Sequence, residues 1–354
     1  MERHNNFDAL RLVAAIGVIF SHAFLIGEGR QDNEPLMRLT GGQTILGVVG
    51  VFVFFTISGF LVTQSFEATR SATRFALKRA LRIYPGLLAC LLVSGFVLGP
   101  LASSLAPGAY FRDGGAYAYV VSNFTMVSPT RSLPGVWFTR WGAGGVVDGP
   151  LWTLPCELAM YVMVLALGVL RALDLRVIGA LIALGMAAIW FDTASSEYFA
   201  GSALWLLAFF ASGMALYRLR NSAILDGRLA LLACAGLALS VPLKAFILLF
   251  PLFGSYLVIY LAFAPWLKPF PAARFGDLSY GLYIYGWPVE QTLVRLNGGA
   301  MSWEKLFAEA LPIAAAIAFL SWHLVEKRAL RFKPQAPRRT TTSIEAIGAG
   351  ATDP

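Results

Sequence analysis

The chain has 354 residues, of which 57% are hydrophobic and only 14% charged, with a mean hydropathy of +0.66. A soluble domain carries nearly a quarter charged residues, so this composition excludes one and points to a polytopic helical membrane protein. The formal charge of +8 does not imply nucleic acid, because the basic residues fall between apolar stretches, where they act as orientation signals.

Apolar stretches long enough to cross a bilayer fall near 7–26, 45–65, 85–106, 153–170, 177–192, 201–217, 229–242, 244–264, 278–296 and 306–325. The region 229–264, interrupted by Pro242 and Pro251, reads equally as two short helices or one broken helix. With ten spans and a cytoplasmic N-terminus, 20 of the 28 Lys and Arg residues lie inside and 8 outside, which predicts an all-α bundle with both termini cytoplasmic. No cleavable signal peptide is expected, because the first span outruns a signal core. The organisation expected is one integral-membrane domain over 1–333, followed by a disordered cytoplasmic tail over 334–354 that is rich in Pro, Thr, Ala and Gly. Cys90, Cys156 and Cys234 have no paired spacing and read as packing residues, and no metal site is expected.

In the first span, Arg11 and His22 are eleven residues apart. At about 100° per residue they share one helix face, ~16 Å apart along the axis. Ionisable side chains in a span face a bundle interior or a watery cavity, which makes the pair a candidate site; placement at the two helix ends is the plainer alternative. The segment 70–84 is the most basic of those assigned to the inside. Arg79 and Arg82 stand at i and i+3, and their forked guanidinium groups suit phosphate oxygens, although positive-inside topology alone would also place them there. The outside loop 107–149 carries Tyr110, Phe111, Tyr117, Tyr119, Phe124, Trp137, Phe138 and Trp141. It reads as a sugar-docking platform or as an interfacial aromatic belt.

Four segments in this order resemble the membrane-bound acyltransferase-3 family: Phe7-Asp8-Ala9-Leu10-Arg11 with His22; Phe54-Phe55-Thr56-Ile57-Ser58-Gly59-Phe60-Leu61; Arg79-Ala80-Leu81-Arg82-Ile83-Tyr84-Pro85; and Leu151-Trp152-Thr153-Leu154-Pro155-Cys156-Glu157. The segment Ser279–Pro288 is similar but carries Gly286 where many members have His, and Val325-Glu326-Lys327 continues with Arg328 where Pro is common. The resemblance implies a membrane O-acyltransferase that takes an acyl group, acetyl first among candidates, from cytosolic acyl-CoA. The acceptor it implies is a hydroxyl on an exported or surface glycan or glycolipid beyond the bacterial inner membrane. It places Arg79, Arg82, Tyr84 and Arg11 at the donor and makes Arg11 and His22 the central pair. No bound cofactor is expected. Membrane lipid is the surrounding partner, and a homo-oligomer is compatible with these features.

The residues fit that chemistry. Transfer from a thioester to an alcohol requires a base, and neutral His has a suitable pKa near 6.5. His22 is the candidate, because Gly286 removes a second ring, His4 lies in the N-terminal tail and His323 near the end of the last span. Asp8, three residues before Arg11, is expected to orient that guanidinium. Glu157 is then the better candidate for the inner carboxylate that fixes His22. Ser58 either donates to the thioester oxygen or simply allows close packing, and packing is the commoner use of small residues. A secondary transporter of an anionic solute is the alternative reading, but it should show paired broken halves, and no internal repeat is evident.

Overall fold

The computed structural model describes residues 5–69, 71–194, 203–220, 226–264, 267 and 272–334. His4 and the expected tail from 335 onward lie outside the described residues. In chain order the helices are α1 (Phe7–Glu28), α2 (Pro35–Leu39), α3 (Leu46–Thr69), α4 (Ala72–Val93), α5 (Gly99–Ala102), α6 (Pro107–Asp113), α7 (Gly115–Thr125), α8 (Thr153–Val169), α9 (Leu175–Ala194), α10 (Ala203–Arg218), α11 (Gly227–Ser240), α12 (Phe246–Phe263), α13 (Ser279–Leu296) and α14 (Trp303–Ser321). Helices therefore occupy all ten expected apolar segments, and no strand is present among the described residues. Among the described residues, seven stretches are both long and apolar enough to cross a membrane, and the chain is an integral membrane protein.

Two expectations needed correction. The basic segment assigned to a loop before residue 85 is already helical, because α4 begins at Ala72, with Ser71 capping the backbone N–H of Arg74. Together with a π-helical turn at Ser94–Leu98 and α5, it continues to Ala102. Its extra length puts Arg79 and Arg82 on the wall of the bundle rather than on a free loop.

The region 107–149 is not simply an external loop. Gly95, in the π-helical turn that continues α4, meets Ala116, Tyr119 and Val120 of α7, and Tyr84 meets Phe124 with ring centroids 5.1 Å apart. The helix α7 thus runs antiparallel along α4 and buries Tyr119 and Asn123 against the bundle. Of the eight aromatic residues in this region, Tyr110, Tyr119 and Phe138 are core, while Trp137 and Tyr117 remain exposed. Non-helical backbone at such depth is tolerated where protein covers it, and Tyr110 donates to the Gly95 carbonyl at 2.7 Å.

The ambiguity around Pro242 resolves into two helices, α11 and α12, joined by a tight turn with Lys244 at φ 54°. At the centre, α3 and α10 meet backbone to backbone. A Cβ on Gly59 would lie 1.9 Å from the Phe210 carbonyl oxygen, and one on Gly213 would lie 2.1 Å from that of Thr56. Small residues permit this approach in bundles that lack a hydrophobic drive between helices. Gly59, not Ser58, is the packing residue of its motif, which leaves Ser58 free to face inward.

Candidate active site

A cavity of ≈ 540 Å³ opens between α1, α3, α4, α8 and α13. Its mouth is lined by Arg11, Arg79, Arg82, Asp8, Asp277 and Lys333, its waist by Ser58, Glu157 and Tyr161, and its inner end by Phe54, Leu154, Thr153 and Tyr283. Four separate sequence motifs thus converge on one space.

Charge at the mouth is largely satisfied. Arg11 pairs with Asp8 on its own helix and lies 3.2 Å from Asp277. Arg82 donates to the same Asp277 oxygen at 2.6 Å and lies over the Tyr280 ring at 5.8 Å. Burial would push the Asp277 carboxyl up, but Arg82 and Arg11 outweigh it and hold that carboxyl well below the usual carboxylate range. Asp8 therefore does pair with Arg11, while Asp277, just before α13, ties that helix's base to α1 and α4.

Arg79 is less committed. One of its terminal nitrogens meets Ser65 at 3.5 Å, its guanidinium lies 5.6 Å from the Tyr161 ring centre, and its buried Nε has no hydrogen-bond partner. Beside it, burial and the charges of Arg82, Arg79 and Lys78 push the Lys333 ammonium pKa down. After burial, the three neighbouring cations are the next causes, so positive charge gathers at this point of the mouth, as an anion site requires. The expected twin clamp of Arg79 and Arg82 is thus unequal: Arg82 is bound by Asp277, while Arg79 and Lys333 remain available. Tyr84 does not line the cavity; its ring packs on Phe124.

At the waist, Ser58 donates to Glu157 at 3.1 Å and Tyr161 donates to the same oxygen. These bonds commit Glu157 to α3 and α8. Thr153 and Tyr283, with hydroxyls 2.8 Å apart, close the inner end under the Phe54 ring.

His22 lies beyond that closure, outside the cavity lining. Its carboxylate neighbour is Glu290 of α13, with Nδ1 and Oε2 3.8 Å apart, and its ring meets Trp287 edge-on at 4.7 Å. The expected pairing of His22 with Glu157 does not form. Tyr280, Tyr283, Trp287 and Glu290 follow one another at spacings of three, four and three, one face of α13 that runs from the cavity to His22. Close approach of the two helices depends on Gly286, where a Cβ would lie 2.7 Å from Ile19 Cγ1. The departure at Gly286 thus has a steric basis: α1 occupies the space that a histidine ring would need.

Asp277, Glu290 and Lys333 were not among the residues expected at the site. A carboxylate inside an apolar span is itself the signal that could have found Glu290, since such groups are costly and are kept for use. Asp277 and Lys333 sit in short polar junctions, where one charge among several carries no distinguishing mark.

Comparison with known proteins gives the family. The acyltransferase domain of the acyltransferase-3 family matches residues 4–326. The chain is 29% identical to an O-acetyl transferase of Shigella phage Sf6, over 93% of this chain and 97% of that protein. It is 31% identical to nodulation protein 10 of Rhizobium leguminosarum bv. viciae, over 93% of this chain and 94% of that one. Acyltransferase MdmB of Streptomyces mycarofaciens is 28% identical over 44% of this chain and 37% of its own length. No solved structure matches. With a basic-mouthed cavity built from the matching motifs and a family match across nearly its whole length, the chain belongs to the acyltransferase-3 family of integral membrane acyltransferases.

Proposed function

We propose that the protein takes an acyl group, acetyl first among candidates, from acyl-CoA at the cytosolic face of a bacterial inner membrane. It delivers that group to a hydroxyl of a glycan or glycolipid at the opposite face. The observation that carries this reading is the cavity itself, with a mouth rich in cations, a waist of Ser58, Glu157 and Tyr161, and an inner end one turn of α13 from the residues that meet His22. Arg79 and Lys333 would receive the donor's phosphates, while Arg11 and Arg82, fixed by Asp277, shape the entrance. The pantetheine arm would follow the throat past Ser58 and Phe54 toward Tyr283.

The reaction balances with His22 as the only proton carrier. The acceptor O–H gives its proton to the imidazole as its oxygen attacks the thioester carbonyl carbon, forming the new C–O bond. Collapse of the tetrahedral adduct breaks the C–S bond, and the departing thiolate takes the proton back from the imidazolium. Ester and free CoA thiol are the products, and His22 is restored.

The test is acyl transfer from labelled acetyl-CoA in membranes containing the wild-type chain and His22→Ala. Release of CoA and labelling of acceptor by wild type alone supports the reading. Equal behaviour of both forms, with dissipation of an anion gradient, would instead favour transport.

A further inference from the structure

An imidazole serves as a base most effectively when something fixes its ring and tautomer. The carboxylates that line or adjoin the path through the bundle differ in their bonding. Glu157 accepts from Ser58 and Tyr161, while Glu326 accepts from Ser321 at 3.0 Å and Asp148 from the Cys90 thiol at 3.6 Å, each of these two on one oxygen only. Glu290, with no exposed side-chain surface, has no hydrogen bond on either carboxylate oxygen, and His22 Nδ1 has none either. These unsatisfied groups face each other 3.8 Å apart, just beyond hydrogen-bond length, a separation that catalytic pairs commonly show before substrate arrives. A carboxylate placed there to hold helices together would be bonded across them, as Glu157 of α8 is to Ser58 of α3.

We infer that Glu290 is the positioning carboxylate of His22: it accepts the Nδ1–H, leaves Nε2 to take the acceptor's proton, and stabilises the imidazolium that forms. Trp287, edge-on to the ring at 80°, limits its swing from the side. The other elements against α1 at this depth present Leu46 and Gly47 of α3, Trp303 and Leu306 of α14, and Trp141. None of these titrates. Glu28, at the end of α1, accepts from the Trp303 backbone N–H at 3.4 Å. Glu290 is thus the one charged group recorded at ion-pair distance from His22 among the described residues.

The inference rests on His22 being the base, and the test separates the two. Turnover and its pH profile are measured for wild type, Glu290→Gln, Glu290→Asp, His22→Gln and the His22→Gln/Glu290→Gln double variant, with donor binding followed in each. The near-isosteric Glu290→Gln should lower kcat by about 10²-fold with donor KM unchanged. It should also move the acid limb of the kcat profile down by about one pH unit, because the imidazolium loses its counter-charge. Glu290→Asp, which keeps the charge, should leave the limb near its wild-type position. The double variant should be no slower than His22→Gln alone. Glu290→Gln with near wild-type kcat and an unmoved limb, beside an inactive His22→Gln, overturns the role of Glu290 and leaves the base intact. Full activity in His22→Gln overturns the base itself. Should Glu290→Gln lose donor binding and with it the fold, Glu290→Asp decides: a limb shifted as far as an uncharged side chain would shift it contradicts the inference.

Discussion

At one end of α1, Arg11 is gripped by Asp8 and Asp277; three turns further on, His22 faces a single carboxylate that it does not quite touch. The first arrangement is saturated. Arg82 shares the same Asp277 oxygen, Ser279 donates to the other at 2.6 Å, and α1, α4 and α13 are tied at one carboxylate. The second keeps polar atoms unsatisfied in a low-dielectric interior, where each costs free energy until a partner arrives. The contrast separates the ions that build the entrance from the group proposed to perform the chemistry, and it can be broken at either end.

The largest effect is expected at the unsatisfied end. His22→Gln should lower turnover by about 10²–10⁴-fold while donor binding survives, as measured in one membrane preparation by transfer and by equilibrium binding of acyl-CoA. Loss of binding along with turnover would mean that the fold, not the base, was removed.

At the saturated end the cost should appear as stability. Asp277→Asn strips Arg82 of its counter-charge and leaves Arg11 with Asp8 alone, and breaking a buried pair in this way is worth about 3 kcal/mol. A clear drop in thermal stability in detergent checks it. The carboxyl is held below its ordinary range when folded, so its contribution is present above the unfolded pKa of about 3.9 and is lost only as pH falls through the folded value. Between pH 5 and 8 the wild type should therefore show no pH-dependent loss of stability from this network.

The difference between Arg79 and Arg82 gives a smaller and sharper test. Arg79→Lys should weaken acyl-CoA binding on the order of ten-fold with little change in stability. Arg82→Lys should lower stability first, because it loosens the bond to Asp277. Identical phenotypes would mean that the two guanidinium groups are not divided between ligand and frame. The smallest effect belongs to Ser58→Ala, which removes one hydrogen bond to Glu157 at the waist. About 1 kcal/mol, or roughly five-fold in turnover, is expected from a kinetic comparison, and no change would confine Ser58 to the cavity wall.

Much of this was legible in the chain. Apolar length located all ten helical segments, and the spacing of Arg11 and His22 placed both on one face of α1. The i, i+3 pair Arg79 and Arg82 was found on one cavity wall, as helical periodicity required. Pairings between distant segments were not legible, because spacing fixes which face a residue occupies and not what that face meets. Glu157 and Glu290 both lie on apolar helices, and only the crossing of α1 with α13, made close by Gly286, selects Glu290 for His22. The fate of 107–149 was hidden for a related reason. Its aromatic residues suit a sugar platform or an interfacial belt, and spacing alone does not show that Tyr110, Tyr119 and Phe138 are core, with α7 packed on the π-helical turn at Gly95.

The central claim is that donor and acceptor approach from opposite ends of one bundle. Sealed vesicles of known orientation, with acceptor enclosed and membrane-impermeant labelled acetyl-CoA supplied on one side only, test it directly. Donor supplied at the face bearing Arg79 and Lys333 should label acceptor at the other face, and donor supplied at the acceptor's own face should not. Transfer from the acceptor's side, or product confined to the donor's side, would contradict the account.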